Sequence, residues 1–216
     1  MPICSVKKCN SKTVARGYCD RHYRQIIRKG SILKYTKVDG NEIVCNKDTC
    51  VIKLYSKLNS SSIAETIINI NDYDKVKNYR WYRNATDQTI SYVLTSYKDL
   101  NGNYQKLFLH HLICPCNSGH VVDHINGNIL DNRRCNLRVC THTQNIQNQR
   151  LRKNNTSGAK GVVWHKRDHI WEVRIVSSGT NYYLGRYKNK TDAISAYNKA
   201  SKELHGKFSN LRANRY

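Results

Sequence analysis

The chain has 216 residues, with 37 Lys and Arg against 15 Asp and Glu, for a formal net charge of +22. That length suits one large domain or two to three small ones. No folding argument needs such a charge excess, so it points to a polyanion partner, most simply nucleic acid. No apolar run reaches the length of a membrane helix, and the opening MPICSVKKCN lacks the apolar core of a signal peptide. The expectation is a cytoplasmic protein with reduced thiols, in which nine Cys suggest metal binding before disulfides.

The charge is uneven. Residues 1–30 carry 8 basic and 1 acidic side chains, residues 31–150 carry 15 and 10, and residues 151–216 carry 14 and 4. Both ends are strongly basic and the middle is nearly balanced. Basic flanks suit a grip on phosphate, and a middle that keeps its acids suits a cation site.

The first segment, residues 1–35, holds Cys4, Cys9, Cys19 and His22 at the spacing C-x4-C-x9-C-x2-H. Three thiolates and one imidazole can close a tetrahedron around Zn2+. Asp20 is placed to cap a helix from about Arg21 to Lys29, and Gly30 suits its C-terminal cap. So short a segment has little core, and metal binding would supply folding energy. RGYCDRHYRQIIRKG resembles the small fingers with three Cys and one His found at the front of phage and bacterial nucleases.

The second segment, residues 36–150, begins with strand-like text in TCVIKLYS and the alternating ETIININD. Cys45 and Cys50 are read as structural or incidental, for lack of a second ligand pair nearby. DYDKVKNYRWY suggests a short helix ending near Trp81, and ISYVLTSYKDLNGNYQKLFLHHLI a hairpin. Then VVDHINGNILDNRRCNLRVCTHTQNIQNQ reads as strand, turn, strand and helix, with Gly127 in the turn. Thr141 and Gln144 form a capping-box pattern at the helix start.

Asp123 and His124 are strand neighbours, so one can face a metal while the other faces a reactant. A helix across the hairpin would bring Asn145 beside Asp123. One acid and one amide oxygen suit Mg2+ or Mn2+. His124 is then the candidate general base for a water attacking phosphorus. Asn136 is placed either to accept from the other imidazole nitrogen or to brace the loop. FLHHLI together with the VVDHINGN stretch resembles the HNH endonucleases, in the branch of phage and intron-encoded homing enzymes. The resemblance implies a ββα-metal fold and hydrolysis of DNA phosphodiesters. It places the general base on His124, the metal-binding acid on Asp123, the middle Asn on Asn136 and the final ligand on Asn145. His110 matches the upstream His, and His111 stands where many relatives carry an Arg that contacts phosphate. Cys114, Cys116, Cys135 and Cys140 depart from the paired CxxC of a structural zinc and are read as free buried thiols, with a second zinc as the alternative.

The third segment, residues 151–216, reads as three strands, GVVWHK, IWEVRIV and NYYLGRY, and one helix. Trp171, Val173 and Ile175 share one face of the second strand. Thr191 is a candidate cap, Ala193, Tyr197, Ala200 and Leu204 form an apolar stripe, and Gly206 ends the helix. A three-stranded sheet fits a DNA major groove. TSGAKGVVWHKR, YYLGRY and AISAYNKASKELHGKF resemble the ethylene-response-factor-type (APETALA) DNA-binding domain. That resemblance places DNA-facing positions on Lys160, Val163, His165, Arg167, Arg174, Asn181 and Tyr183.

The expected fold class is α+β: a small zinc finger, a ββα-metal nuclease domain, and a three-stranded antiparallel sheet packed on one helix. The expected activity is metal-dependent, site-specific cleavage of double-stranded DNA, of homing type, in a prokaryotic or phage-infected cell. One active site per chain implies a monomer that nicks one strand, with a dimer or a second binding event needed to cut both. The competing reading is a DNA-binding regulator without catalysis.

Overall fold

A computed structural model describes residues 2–6, 9–32, 40–55, 62–83, 92–151 and 154–211. Helix α1 (Asp20–Lys29) follows an N-terminal loop and ends at Gly30, whose φ of 69° lets its N–H reach Ile26 O. Its N-cap is Cys19 rather than Asp20. Asp20 lies inside the first turn, where it still faces the positive end of the helix dipole and accepts from Arg24 at 2.9 Å.

Strands β1 (Ile43–Cys45), β2 (Thr49–Tyr55) and β3 (Ser62–Asn69) form an antiparallel sheet in that order. Alternation in β2 sends Cys50, Ile52 and Leu54 fully into the core. The β1–β2 register sets Cys45 opposite Cys50, and a disulfide joins them. This corrects the expectation of reduced thiols at that pair: C-x4-C across a tight turn makes the two cysteines cross-strand partners.

A 3-10 turn (Ile70–Asp72) leads into α2 (Tyr73–Val76). The helix is shorter than expected because Trp81 turns back into the core, where its Nε1 donates to Val76 O at 3.0 Å. Strands β4 (Tyr82–Arg83), β5 (Val93–Lys98) and β6 (Tyr104–Phe108) form a second sheet. The β5–β6 hairpin agrees with the sequence reading, but the strand stops at Phe108. Leu109–Ile113 is helix α3, since a helical turn buries both Leu109 and Ile113 on one side.

Strands β7 (His120–His124) and β8 (Leu137–Thr141) pair antiparallel, followed by α4 (His142–Asn148). Both halves of the Thr141–Gln144 capping box are formed. The β7–β8 loop is fastened to β3: Ile67 N–H donates to Leu130 O and Asn132 N–H to Ile67 O, at 3.0 and 2.9 Å. One apolar cluster runs from Ile52 and Ile68 through Trp81 and Leu109 to Val122 and Leu137, so both sheets and the hairpin share a core.

The C-terminal sheet has the order β11 (Thr180–Tyr187), β10 (Ile170–Ser177), β9 (Val162–His165) and packs on α5 (Lys190–His205). The helix begins one residue before Thr191, with Asn189 as N-cap. Ala193, Tyr197 and Ala200 are buried as expected, but Leu204 is 38% exposed and His205 takes the inner position. A 3.6-residue period carries the stripe from Ala200 to Ser201 and His205, past Leu204. The described chain is therefore mixed α and β, built from small antiparallel sheets and few helices. Among the described residues no helix is long and apolar enough to cross a membrane.

Candidate functional site

Two groups of side chains have the chemistry of sites. The first is N-terminal. The ligand atoms of Cys4, Cys9, Cys19 and His22 all lie within 4.8 Å of one another. Cys4 Sγ and Cys19 Sγ lie 3.2 and 3.4 Å from His22 Nδ1, and Cys9 Sγ is 3.8 Å from Cys19 Sγ. A tetrahedron with Zn–S bonds of about 2.3 Å needs sulfur atoms about 3.8 Å apart. The donor set fits a metal of zinc type. The helix start supplies Cys19 and His22 one turn apart, and the loop supplies the other two. No second such group exists among the described residues; Cys114, Cys116, Cys135 and Cys140 are free thiols, but only Cys140 is buried as expected, Cys114 and Cys116 being half-buried and Cys135 exposed at the loop before β8.

The second group surrounds the end of β7. Asp123 and His124 are 5% and 4% exposed and line a cavity of about 480 Å³ with Tyr92, Asn145, Asn148 and Arg150. Asp123 is the register partner of Arg138 on β8. Arg138 donates through Nε to its Oδ2 at 2.9 Å, and Nη2 lies 2.7 Å from the same oxygen. Asn148 Nδ2 lies 3.0 and 2.9 Å from the two carboxylate oxygens and 3.2 Å from His124 O. All three are acceptors, which fixes the amide with its nitrogen toward Asp123.

The amide in contact with Asp123 is thus Asn148, one helical turn beyond Asn145. Asn145 lines the same cavity. Its amide oxygen and the Asp123 carboxylate are the oxygen donors that a hard divalent ion would use, and such ions fill their other positions with water and phosphate.

His124 Nε2 lies 3.2 Å from Asn132 Oδ1. Its ring meets His110 at 5.3 Å and stacks near Tyr92 at 6.1 Å. Burial holds the His124 imidazole below its usual pKa, against the pull of Asn132 and Asp123. His110, 5% exposed, is pushed down to about 3, first by burial and then by His111 and His124. Burial also lowers His111, whose ring sits 4.4 Å from that of His110. His110 therefore meets His124 rather than solvent. Burial, then the Asp123 charge, raises the Tyr92 phenol.

Of the two roles open to Asn136, the geometry is that of a brace. Its Oδ1 accepts from Asn126 N at 2.9 Å and its Nδ2 donates to Asp131 O at 2.7 Å, which closes the β7–β8 loop. The imidazole partner is Asn132 instead.

The C-terminal sheet presents Arg174 opposite Tyr183 and Val176 opposite Asn181 on the face away from α5. Tyr183 is 58% and Val163 59% exposed. Glu172 sits among them, accepting from Arg174 Nε at 2.8 Å and Arg186 Nε at 3.3 Å, with His165 Nε2 3.5 Å away. Arg167 is exposed in the turn after β9. Lys160 departs from the group: it is partly buried and donates to Gln147 O on α4 at 3.2 Å.

Asn132, Asn148, Arg138, Tyr92 and Arg150 were not named from the sequence. Arg138 was reachable by counting the hairpin register back from Asp123, and Asn148 by one more helical turn. Tyr92 and Asn132 had no local signal. Arg138 also ties the two units together. Its Nη1 donates to Lys207 O at 2.6 Å and its guanidinium lies 4.0 Å over the Phe208 ring, while Asn210 Nδ2 donates to Asn148 O at 2.6 Å.

The HNH endonuclease family matches residues 109–147, from the start of α3 to one residue short of the end of α4. Protein 3.8 of Escherichia phage T7 is 32% identical over 98 residues, covering 45% of this chain and 80% of that protein. An uncharacterized HNH endonuclease, L560, of Acanthamoeba polyphaga mimivirus is 28% identical over 143 residues, covering 65% and 71%. No solved structure matches. The class that fold and site define is one with an HNH endonuclease domain and a separate Cys/His cluster. The chain carries an HNH endonuclease domain at residues 109–147 and is related to these viral proteins.

Proposed function

We propose that this chain is a metal-dependent, site-specific DNA endonuclease of the homing type, acting on double-stranded DNA. The observation that carries the reading is a buried imidazole, His124, held beside the buried carboxylate of Asp123 at the edge of one cavity. The strand–strand–helix arrangement of β7, β8 and α4 supports assignment to the ββα-metal fold. Asp123 and Asn145 would hold Mg2+ or Mn2+, an ion that when bound would supply stabilisation of negative charge on the phosphate and on the leaving 3′ oxygen. His124 removes a proton from a water as its oxygen attacks phosphorus. The bond from phosphorus to the 3′ oxygen breaks, leaving 5′-phosphate and 3′-hydroxyl ends. Arg150, lining the same cavity, offers a guanidinium to the phosphate. Arg138 and Asn148 fix the orientation of Asp123.

The flanks bind. Cys4, Cys9, Cys19 and His22 would hold Zn2+, which would shape a basic finger. The C-terminal sheet lays Arg174, Asn181, Tyr183, His165 and Arg167 along DNA in the manner of an ethylene-response-factor-type domain. One site per chain makes the monomer a nickase, working in the cytoplasm of a prokaryotic or phage-infected cell.

The test is cleavage of a supercoiled plasmid library carrying the host or phage genome, in Mg2+ and in EDTA, by wild type and His124→Ala. Expected is metal-dependent nicking that the variant lacks. Tight, salt-sensitive binding with no cutting in Mg2+ or Mn2+ would overturn the reading in favour of a DNA-binding regulator.

A further inference from the structure

The imidazole of His124 ends a chain of hydrogen bonds that can run in only one direction. Leu130 O accepts only, so Thr66 Oγ1, 2.8 Å away, must donate to it. That hydroxyl then has lone pairs left, and Asn132 Nδ2 donates to one at 2.8 Å. The same Nδ2 is 3.3 Å from Ile129 O, a second acceptor, so the amide nitrogen belongs on this side. Asn132 therefore turns its Oδ1 to His124 Nε2. An amide oxygen cannot donate, so in neutral His124 the proton sits on Nε2 and the lone pair on Nδ1.

We propose that Thr66 and Asn132 are positioning residues that lock His124 in its Nε2–H tautomer, so that Nδ1 is the base. Both side chains are sealed from solvent, each residue being 1% exposed, so no water can substitute for a lost partner. Thr66 belongs to β3, outside the segment that matches the HNH family. The backbone bonds from Ile67 to Leu130 and Asn132 hold the loop on that strand and keep the relay in register. The first sheet of the central unit thus reaches the base through one hydroxyl and one amide.

The kinetic part of this inference rests on the nuclease reading, and the spectroscopic part does not. The experiment takes the full chain as wild type, Thr66→Val and Thr66→Ser. The imidazole nitrogens are observed by 15N NMR above the ordinary range of His titration, at roughly pH 8. Single-turnover plasmid nicking, the dissociation constant for DNA and the thermal midpoint are measured alongside. In wild type His124 is expected as Nε2–H. Thr66→Val keeps the shape and removes the hydroxyl; both tautomers should appear and the nicking rate should fall about tenfold, with DNA affinity unchanged. Thr66→Ser restores the hydroxyl and should recover tautomer and rate to within roughly twofold. Wild-type His124 protonated on Nδ1 would overturn the proposal. So would a folded Thr66→Val with wild-type rate and tautomer, or a Thr66→Ser no better than Thr66→Val. If wild type does not cut at all, the nuclease reading fails and the tautomer comparison alone decides the relay.

Discussion

The central unit and the C-terminal module each pack sheets and helices over an apolar cluster, yet they differ in where their charged groups lie. The C-terminal cluster is closed by small residues, with Ala159, Ala193 and Ala200 letting α5 approach the sheet. Its guanidiniums stay on the outer face, where Glu172 spaces Arg174 and Arg186. The central unit instead buries His110, Asp123, His124, Asp131, Asn132, Asn136 and Asn148, each 7% exposed or less. Burying such groups is unfavourable unless each finds a partner, and here partners come from three different elements. Under the proposed function, the difference is a division of labour. Gripping phosphate needs exposed charge on a rigid apolar base. Moving a proton needs polar groups fixed in place and shielded from water.

The sharpest way to probe that division is Asp123→Asn, which keeps side-chain shape and removes the charge. Nicking should fall by roughly a hundredfold or more, since under the proposed function the carboxylate would be the charged ligand of the metal. DNA affinity, measured by fluorescence anisotropy, should stay close to wild type. Loss of both together would erase the distinction between a cutting unit and a gripping one.

Next in size is Gly161→Ala. Gly161 has a φ of 63°, and a Cβ there would collide with Arg174 O and the Tyr197 ring. The module should lose about 3 kcal/mol or more in urea denaturation, because backbone strain and overpacking add. Site-specific binding should weaken with it, while the central unit's transition stays in place.

Acid should separate the two units by a smaller amount. His110 is held down to about 3 in the fold, while an unfolded His titrates near 6.5. Above that range the group contributes no pH dependence. As pH falls from about 6.5 towards 3, the unfolded chain takes up the proton and the folded chain does not, so stability is lost. Thermal melts between pH 7 and pH 4 should show the central transition dropping, and His110→Phe should flatten the drop. A variant with an unchanged slope would mean that the imidazole cluster does not set acid stability.

The smallest effect is expected for Arg174→Ala. An exposed guanidinium lost from the sheet face should weaken DNA binding by about tenfold, with a shallower salt dependence and an unchanged single-turnover nicking rate.

Much of this architecture was legible before any coordinates. Local chemistry is written in short range, so C-x4-C-x9-C-x2-H, the Thr141–Gln144 box and the three C-terminal strands could be read directly. The pairing of Asp123 with His124 at a strand end was equally plain. Where a choice depended on burial, local text misled. Leu109–Ile113 looked like strand and is helix, because burying Leu109 and Ile113 together outweighs their alternation with Phe108. Leu204 looked like core and is displaced by His205.

The sequence by itself determined the uneven charge along the chain, the residue types that gather at the two candidate sites, and most of the elements, since periodicity and spacing are properties of neighbours. Only the tertiary structure decided which amide meets which group. Asn148 rather than Asn145 touches Asp123, and Asn132 rather than Asn136 meets His124. Thr66 reaches the site from a distant strand, and Arg138 joins the carboxylate to Lys207 and Phe208. Many Asn residues crowd this stretch, and their side chains are alike in length and donors. Chain order cannot rank them; only the closing of β3, the hairpin and α4 around one cavity does.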